Sequence, residues 1–321
     1  MSTALAVMLA FTVSTANAKN VDAKLVIDIG PLGVHSWILK AIQDGAFAKR
    51  GVNLKFVGKG PGAVKAAMAV TAGKADVSYQ DYSGLVLVNS KSKDPKVTAI
   101  FVVDDKTQDA VWALKKSGIK KLSDLNGKKV GDFLSGVTVK TLPGVTDAKF
   151  TVINMHFKNR IPAMLSGEVD AIAGFLTSNK INLEKAGVAW SDINVIPMSD
   201  VFPMAVSRVL TVNSDFARAN PNAVVAIREV AREYVAAFIK DPGPSVATLN
   251  GPVVSTDKKK AFELSRALYG ISELVNTPFV QKHGISNAQA LSPRLDEYTT
   301  LLVTKLGLPN RHPNNKYFDL D

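Results

Sequence analysis

Between Lys24 and Ser78 short apolar runs alternate with helical segments, and this alternation constrains the fold more than any other feature of the chain. Lys24 to Ile29 reads as a buried strand, followed by the turn Gly30-Pro31-Leu32-Gly33. Ser36 to Lys49 reads as a helix with Trp37, Ile38, Ala41, Ile42 and Phe47 among its apolar residues, and Gly51 stops it. Asn53 to Val57 is a second strand, Ala63 to Ala72 a second helix, and Asp76 to Ser78 begins a third strand. Strands separated by helices are joined by crossovers rather than hairpins, so the expected class is α/β with parallel layers.

The pattern recurs further along. Phe150 to Met155 reads as a strand, Ile161 to Ser166 as a short helix and Asp170 to Ala173 as a strand. Ala72-Gly73-Lys74-Ala75-Asp76-Val77 and Ser166-Gly167-Glu168-Val169-Asp170-Ala171 share one grammar: helix end, Gly, two residues, Asp, strand. The repeat is compatible with two similar lobes. Between the copies lie strands at Val97 to Val103, Val111 to Lys115 and Lys129 to Asp132. After Ala205 come a strand at Val209 to Val212 and a helix opened by Asn220-Pro221, with Val224, Ile227, Ala231, Val235 and Phe238 at helical spacing. Further helices are expected at Asp257 to Tyr269 and Pro293 to Leu306.

Composition removes several classes of function. There is no cysteine, which excludes disulfides, thiolate catalysis, Cys-ligated zinc and iron–sulfur clusters. The four histidines, His35, His156, His283 and His312, lack metalloprotease spacing, and no G-x-S-x-G elbow occurs. No catalytic residue, metal ligand or cofactor is therefore named. The formal charge of +11 comes from scattered lysines, with Lys258-Lys259-Lys260 read as a solvated face. No nucleic-acid motif accompanies it, and the excess favours an anionic ligand. Residues 1–18 carry no charged side chain and end Ala16-Asn17-Ala18, so a signal peptide cleaved after Ala18 and a periplasmic location are expected.

The chain resembles periplasmic solute-binding proteins of the nitrate, sulfonate and taurine import type, a family that also includes thiamine-pyrimidine binders. The resemblance rests on His35 with Ala41 to Val52 (AIQDGAFAKRGV), Gly60 with Ala72-Gly73-Lys74-Ala75-Asp76, Gly118 to Gly131 (GIKKLSDLNGKKVG) and Leu165 to Gly187 (LSGEVDAIAGFLTSNKINLEKAG). It implies a two-lobed periplasmic-binding-protein type II fold with two hinge crossings. The first lobe would hold residues 19–116 and 206–321, the second 117–205. Ligand would sit between the lobes at the carboxyl ends of strands. It further implies a monomer that captures a small molecule, closes on it and delivers it to an ABC permease with its ATPase. Rival readings are a sensing module for a membrane receptor and an enzyme on the same fold. Pyrimidine-synthesising relatives use a cysteine cluster that this chain cannot supply. Relatives also carry a longer helix where Val137 to Leu142 meets Pro143-Gly144, so the second lobe reads as trimmed.

Candidate ligand contacts follow from this frame. His35 can donate to a ligand oxygen and Trp37 can stack on a ring; both can equally pack a helix start. Gly60, in Gly58-Lys59-Gly60-Pro61-Gly62, offers backbone N–H groups to an anion or forms a plain turn. Tyr79, Gln80, Asp81 and Tyr82, with Ser83, suit a polar-aromatic wall or a surface loop. Ser135, Gly136, Val137 and Thr138 are the second-lobe counterpart, able to hold a carboxylate or sulfonate. Phe175, Thr177, Ser178 and Asn179 mirror the Tyr79 segment. Arg208 pairs either an anionic ligand or a surface carboxylate. Asp104-Asp105 reads as a solvated pair near a hinge.

Overall fold

The computed structural model describes residues 20–60, 62–132, 137–144 and 146–321; the expected signal segment lies outside them. The elements in chain order are β1 (Val21–Ile27), α1 (Ser36–Gln43), β2 (Val52–Lys59), α2 (Ala63–Thr71), β3 (Val77–Asp81), α3 (Tyr82–Asn89), β4 (Val97–Val102) and β5 (Asp109–Leu114). β6 (Lys129–Asp132), α4 (Val137–Thr141), β7 (Thr151–Asn154), α5 (Phe157–Ser166), β8 (Ala171–Phe175), α6 (Leu176–Lys185) and β9 (Ile193–Pro197) follow. The rest comprises β10 (Arg208–Asn213), α7 (Ser214–Ala219), α8 (Pro221–Lys240), α9 (Gly243–Val246), α10 (Asp257–Gly270), α11 (Pro278–His283) and α12 (Ala288–Lys305). The last of these starts earlier than the sequence suggests. Asn287 accepts the Ala290 N–H at 2.9 Å as a cap, so Pro293 lies inside the helix instead of opening it.

Two five-stranded sheets form, in the orders β2-β1-β3-β10-β4 and β7-β6-β8-β5-β9. Each has a parallel core and an antiparallel strand returning from the other half of the chain. β5 belongs to the second sheet, between β8 and β9, so the first exchange between sheets falls in residues 103–108 and not at Lys116. Its apolar run pairs with the return strand of the second lobe, and that pairing decides its place.

The repeated Gly-x-x-Asp grammar has the same physical role in both sheets. Asp76 accepts the Lys24 N–H at 2.9 Å through its carboxylate and donates its own N–H to the Lys24 carbonyl at 2.9 Å. Asp170 does the same with Lys129, at 2.8 and 2.9 Å. Gly73 and Gly167, at φ 67° and 82°, make the left-handed exit from the preceding helix that aims each Asp at its strand. Strand alternation then sorts the core. Leu25, Ile27, Ala110 and Trp112 join one buried cluster, while Val26, Val111 and Ala113 join another. Each cluster contains residues of both sheets, so the lobes are in apolar contact on both faces.

The two crossings between sheets are hydrogen-bonded to each other. Val103 and Asp104 donate N–H groups to the Arg208 carbonyl at 2.9 and 3.1 Å, and Ser207 donates to the Asp104 carbonyl at 3.3 Å. Arg294 of α12 reaches both crossings, donating to the Asp105 carboxylate at 2.5 Å, the Asp105 carbonyl at 2.7 Å and the Pro203 carbonyl at 3.1 Å. Asp105 is buried and also accepts from the Thr277 hydroxyl. Arg294→Ala leaves that carboxylate without its cation and should cost about 3 kcal/mol in urea unfolding. Adding Asp105→Asn should recover part of the loss; a single variant as stable as the parent contradicts this hinge assignment.

Candidate functional site

The carboxyl ends of β1 and β3 carry Asp28 and Asp81, and both side chains are turned into the protein. Asp28 accepts the Ile29 N–H at 2.8 Å and the Asp81 N–H at 3.2 Å. Asp81 caps α3: one oxygen accepts the Ser83 N–H and hydroxyl at 3.0 and 2.5 Å, the other the Ser207 hydroxyl at 2.5 Å. His35 stands over them. Its Nδ1 accepts the Leu32 N–H at 3.1 Å, which leaves Nε2 carrying the proton, 3.9 Å from Asp28. Burial, helped by Arg208 and Arg266, pulls the His35 pKa well below its usual value and keeps the ring neutral.

The second lobe supplies the opposite wall. Asp109, at the start of β5, accepts hydroxyl hydrogens from Thr107 at 3.1 Å and Thr138 at 2.8 Å. Asp132 ends β6 and pairs with Arg160 at 2.5 Å. Where the lobes meet, a cavity of about 10 Å³ is lined by Thr107, Asp109, Thr138, Phe202 and Tyr298 among others. That is room for one water molecule. A wider open groove of about 570 Å³ lies between α6 and α10, beside Lys180, Leu264, Leu268 and Tyr269, but no carboxylate lines it.

Helix α10 bridges the lobes. Glu263 accepts the Gly33 N–H at 2.8 Å and the Arg266 Nε–H at 2.9 Å. Arg266 donates onward to the Thr177 carbonyl at 3.1 Å and the Ser178 hydroxyl at 3.4 Å, in the first turn of α6. The approach is close enough that a Cβ on Gly33 would lie 2.0 Å from the Glu263 carbonyl oxygen. Thus one C-terminal helix touches both the loop after β1 and the first turn of α6, which directly follows β8.

The charge balance of this region differs from that of the whole chain. No lysine is among the buried described residues, so the +11 excess lies on the outside. Inside, Arg208 pairs with Asp104 at 2.5 Å, Arg294 with Asp105, Arg160 with Asp132 and Arg266 with Glu263. Asp28, Asp81 and Asp109 are left without a Lys or Arg partner among the described residues. Burial first, and the Asp81 charge second, push Asp28 from 3.8 to about 7. The same two causes in the same order push Asp109 to about 7. For Arg208 burial acts downward, but the adjacent Asp104 charge carries the net shift upward.

The residues singled out in the sequence divide into three groups. His35, Asp81, Thr138, Thr177, Ser178 and Arg208 lie at the junction of the lobes with the partners given above. Gln80 lies next to Asp81, fully buried, with neither amide atom hydrogen-bonded, and Asn179 is buried against Gly174 with Nδ2 unpartnered. Phe175 ends β8 half-buried, opposite Asp109. Others are turned elsewhere. Trp37 is fully buried and donates to the Tyr79 hydroxyl at 3.2 Å; Tyr79 in turn faces the Val34 carbonyl at 3.4 Å. Tyr82 points to α12, sharing a hydrogen with Thr299 at 2.6 Å and stacking on Tyr298. The Gly60 N–H is taken by the Ile27 carbonyl at 2.7 Å, which removes it as a free anion donor. Ser135, Gly136 and the Val137 side chain lie outside the described residues. Asp104 and Asp105 are buried, not solvated, because each meets an arginine from a distant part of the chain. Asp28, Asp109, Glu263 and Arg266 were missed; the charged Asp28 within the otherwise apolar end of the run Lys24 to Ile29 was the one available signal.

Comparison with known proteins agrees with this architecture. A family model described as NMT1/THI5 like matches residues 33–244. A Haemophilus influenzae protein described as a thiamine biosynthesis protein is 29% identical over 168 residues, 49% of this chain and 52% of that protein, so the match spans about half the relative's length. The periplasmic aliphatic sulphonate binding protein SsuA from Escherichia coli superposes with a TM-score of 0.70 at 13% identity, covering 93% of this chain and 97% of that one. A periplasmic sulfonate-binding protein SsuA from Methylobacillus flagellatus KT gives 0.69 at 15%, covering 94% and 92%. The desulfurization enzyme DszB, in complex with biphenyl-2-sulfinic acid, gives 0.65 at 12%, covering 94% and 97%. At such identities the likeness is one of fold: the two-lobed periplasmic-binding-protein architecture, which serves binding proteins and at least one enzyme.

The raised carboxylates fix the sign of a pH effect. Asp28 and Asp109 hold protons in the folded chain that the unfolded chain releases above about pH 4. Their contribution to stability is therefore complete at acid pH and is lost as pH rises from about 4 through about 7. Asp28→Asn should flatten this decline and melt above the parent at pH 8, with little difference at pH 4.5. Thermal melts across that range decide it; parallel curves for the two proteins contradict the assignment.

Proposed function

The chain belongs to the NMT1/THI5-like family, and we propose that it is the extracytoplasmic solute-binding component of an ABC importer. The observation that carries the reading is the convergence of polar side chains from two lobes on one junction, with only two short crossings between them. Asp28, Asp81 and Arg208 come from one sheet; Asp109, Thr138, Thr177 and Ser178 come from the other or its helices. Strand carboxyl ends facing each other across a hinge form a clamp. A solute enters when the lobes part, binds groups of both walls and shifts the population toward a closed form. In the importer reading the chain works as a periplasmic monomer, and the permease with its ATPase takes up the closed, loaded form. The sulfonate-binding neighbours support the solute-capture role by fold, and the thiamine-related relative widens the ligand range to pyrimidines.

A catalytic reading has one observation in its favour: Asp28 and Asp109 titrate near neutrality, where acid–base chemistry operates. Against it, the chain has no cysteine to serve as nucleophile, and the hydroxyls of Ser83, Thr138 and Ser207 are engaged as carboxylate donors. Turnover of a candidate solute, followed by NMR, would separate the two readings.

The closure mechanism predicts that a bound solute lowers the radius of gyration in X-ray scattering. At one hundred times its dissociation constant the solute should also stabilise the fold by about 2.7 kcal/mol. Sulfonates, aromatic carboxylates, nitrate and pyrimidines form the first panel. Stabilisation without compaction argues for a rigid site and against a clamp.

A further inference from the structure

Strand β2 is an edge of the first sheet. Val52, Leu54 and Phe56 turn to the cluster that holds Trp37 and Ile38 of α1, so Lys55 points to the opposite face. Its register partner on β1 is Lys24, which sets like charges side by side. Leu25 then pairs with Phe56 and Val26 with Gly58, so Val57 is the extra residue of a bulge and stands 53% exposed. Beyond Lys59 the chain turns into α2. That helix buries Ala66 and Val70 in one cluster with Val26 and leaves Val64, Lys65 and Met68 outward, Met68 being 48% exposed.

The positive charge of this face is uncompensated. Gly45 to Ala75 contains six Lys or Arg and no Asp or Glu. Lys24, Lys55, Lys59 and Lys65 form no ion pair among the described residues, whereas Lys40, Lys96, Lys180 and Lys260 each meet a carboxylate on other surfaces. The flanking acids are engaged: Asp22 accepts from the Asn53 amide at 3.0 Å, and Asp76 accepts the Lys24 N–H at 2.9 Å. Lysines on an edge strand keep it from pairing with another chain. That role asks nothing of Lys24 on an inner strand, of Lys65 on a helix, or of the exposed Val57 and Met68. Unpaired lysines around protruding apolar side chains suit a surface that is anionic outside and apolar beneath. No exposed aromatic ring stands among them to stack on a base, which sets a polynucleotide aside. We propose that the β2–α2 face of the first lobe docks on an anionic lipid bilayer, with the four lysines on headgroup phosphates and Val57 and Met68 in the boundary below. The inference goes beyond the solute-binding reading and does not depend on it.

Flotation of the full chain with vesicles tests this at about 0.1 M salt, where the screening length is about 10 Å. Vesicles of phosphatidylcholine mixed equally with phosphatidylglycerol should bind it at least about tenfold more tightly than phosphatidylcholine alone. Lys55→Glu with Lys65→Glu should weaken that binding by about tenfold or more. Lys258→Glu with Lys259→Glu, the same change of net charge placed on α10, should leave it within about twofold. Because the chain has no cysteine, Met68→Cys and Leu268→Cys can each carry a single environment-sensitive dye. On anionic vesicles its emission should shift to the blue in the first variant and stay unchanged in the second, a readout that stands even if the charge variant fails to fold. Equal binding to both kinds of vesicle, equal loss from both charge variants, an unshifted dye at the Met68 position, or tighter binding to a DNA duplex than to anionic vesicles overturns the inference. Each of these leaves the solute-binding reading standing.

Discussion

The pair formed by Arg208 and Asp104 is the interaction on which the rest of the architecture turns. Arg208 begins the strand that returns from the second sheet, and Asp104 lies on the crossing that leaves the first. Their side chains meet at 2.5 Å and their backbones hydrogen-bond, both fully out of solvent. Either charge alone would cost several kcal/mol at that depth, so each holds the other in place. The crossings consequently behave as one double strand. Arg294 braces it from α12, and in the proposed clamp the lobes would rotate about this line.

Fixing the hinge there determines what faces the gap. Parallel strands present their carboxyl ends to the same side, and the residues that follow them are the ones a helix N-terminus can cap. Asp81 does this for α3, and Asp28 accepts the N–H that precedes it. Capping usually lowers a carboxylate pKa, because N–H groups favour the charged form. Here the balance goes the other way for Asp28: removal from water outweighs two backbone hydrogen bonds, and Asp81 adds a like charge nearby. The junction is thus polar and well hydrogen-bonded yet electrostatically short of positive charge.

The fold was readable because it depends on local rules. The alternation from Lys24 to Ser78 gave the parallel layers, and the twin Gly-x-x-Asp turns at Asp76 and Asp170 marked equivalent corners of two sheets. The chain exchange was placed late because Asp109 to Leu114 looks like any buried strand; only its pairing with β8 assigns it to the second lobe. The site was half readable for the same reason. Residues directly after strands, such as His35, Asp81 and Thr177, are visible from spacing. Glu263 and Arg266 carry no such signal, since nothing local says that Gly33 and Thr177 will lie against them. Net charge says little about the junction, because it sums over the surface, whereas a buried site is governed by the few groups it retains.

Helix α10 explains how such a junction can open without large penalty. Its tie to the first lobe is strong: a carboxylate accepts from the Gly33 backbone, and the backbones come too close for a side chain at Gly33. Its ties to the second lobe are two hydrogen bonds from Arg266 at 3.1 and 3.4 Å, the contacts of Tyr269 with Trp190 and Lys180, and that of Phe262 with Lys185. In the proposed clamp, parting the lobes would leave the first of these ties in place, and Arg266 would keep Glu263 as its counter-charge. Hydrogen bonds of this kind are worth about 0.5–3 kcal/mol net each. A difference of that size between open and closed forms lies within what one small ligand with differential contacts can tip, whereas a fully buried interlobe ion pair would exceed it. In the proposed clamp, the salt bridge of Glu263 and Arg266 lies within one lobe, so opening would not have to break an ion pair between the lobes.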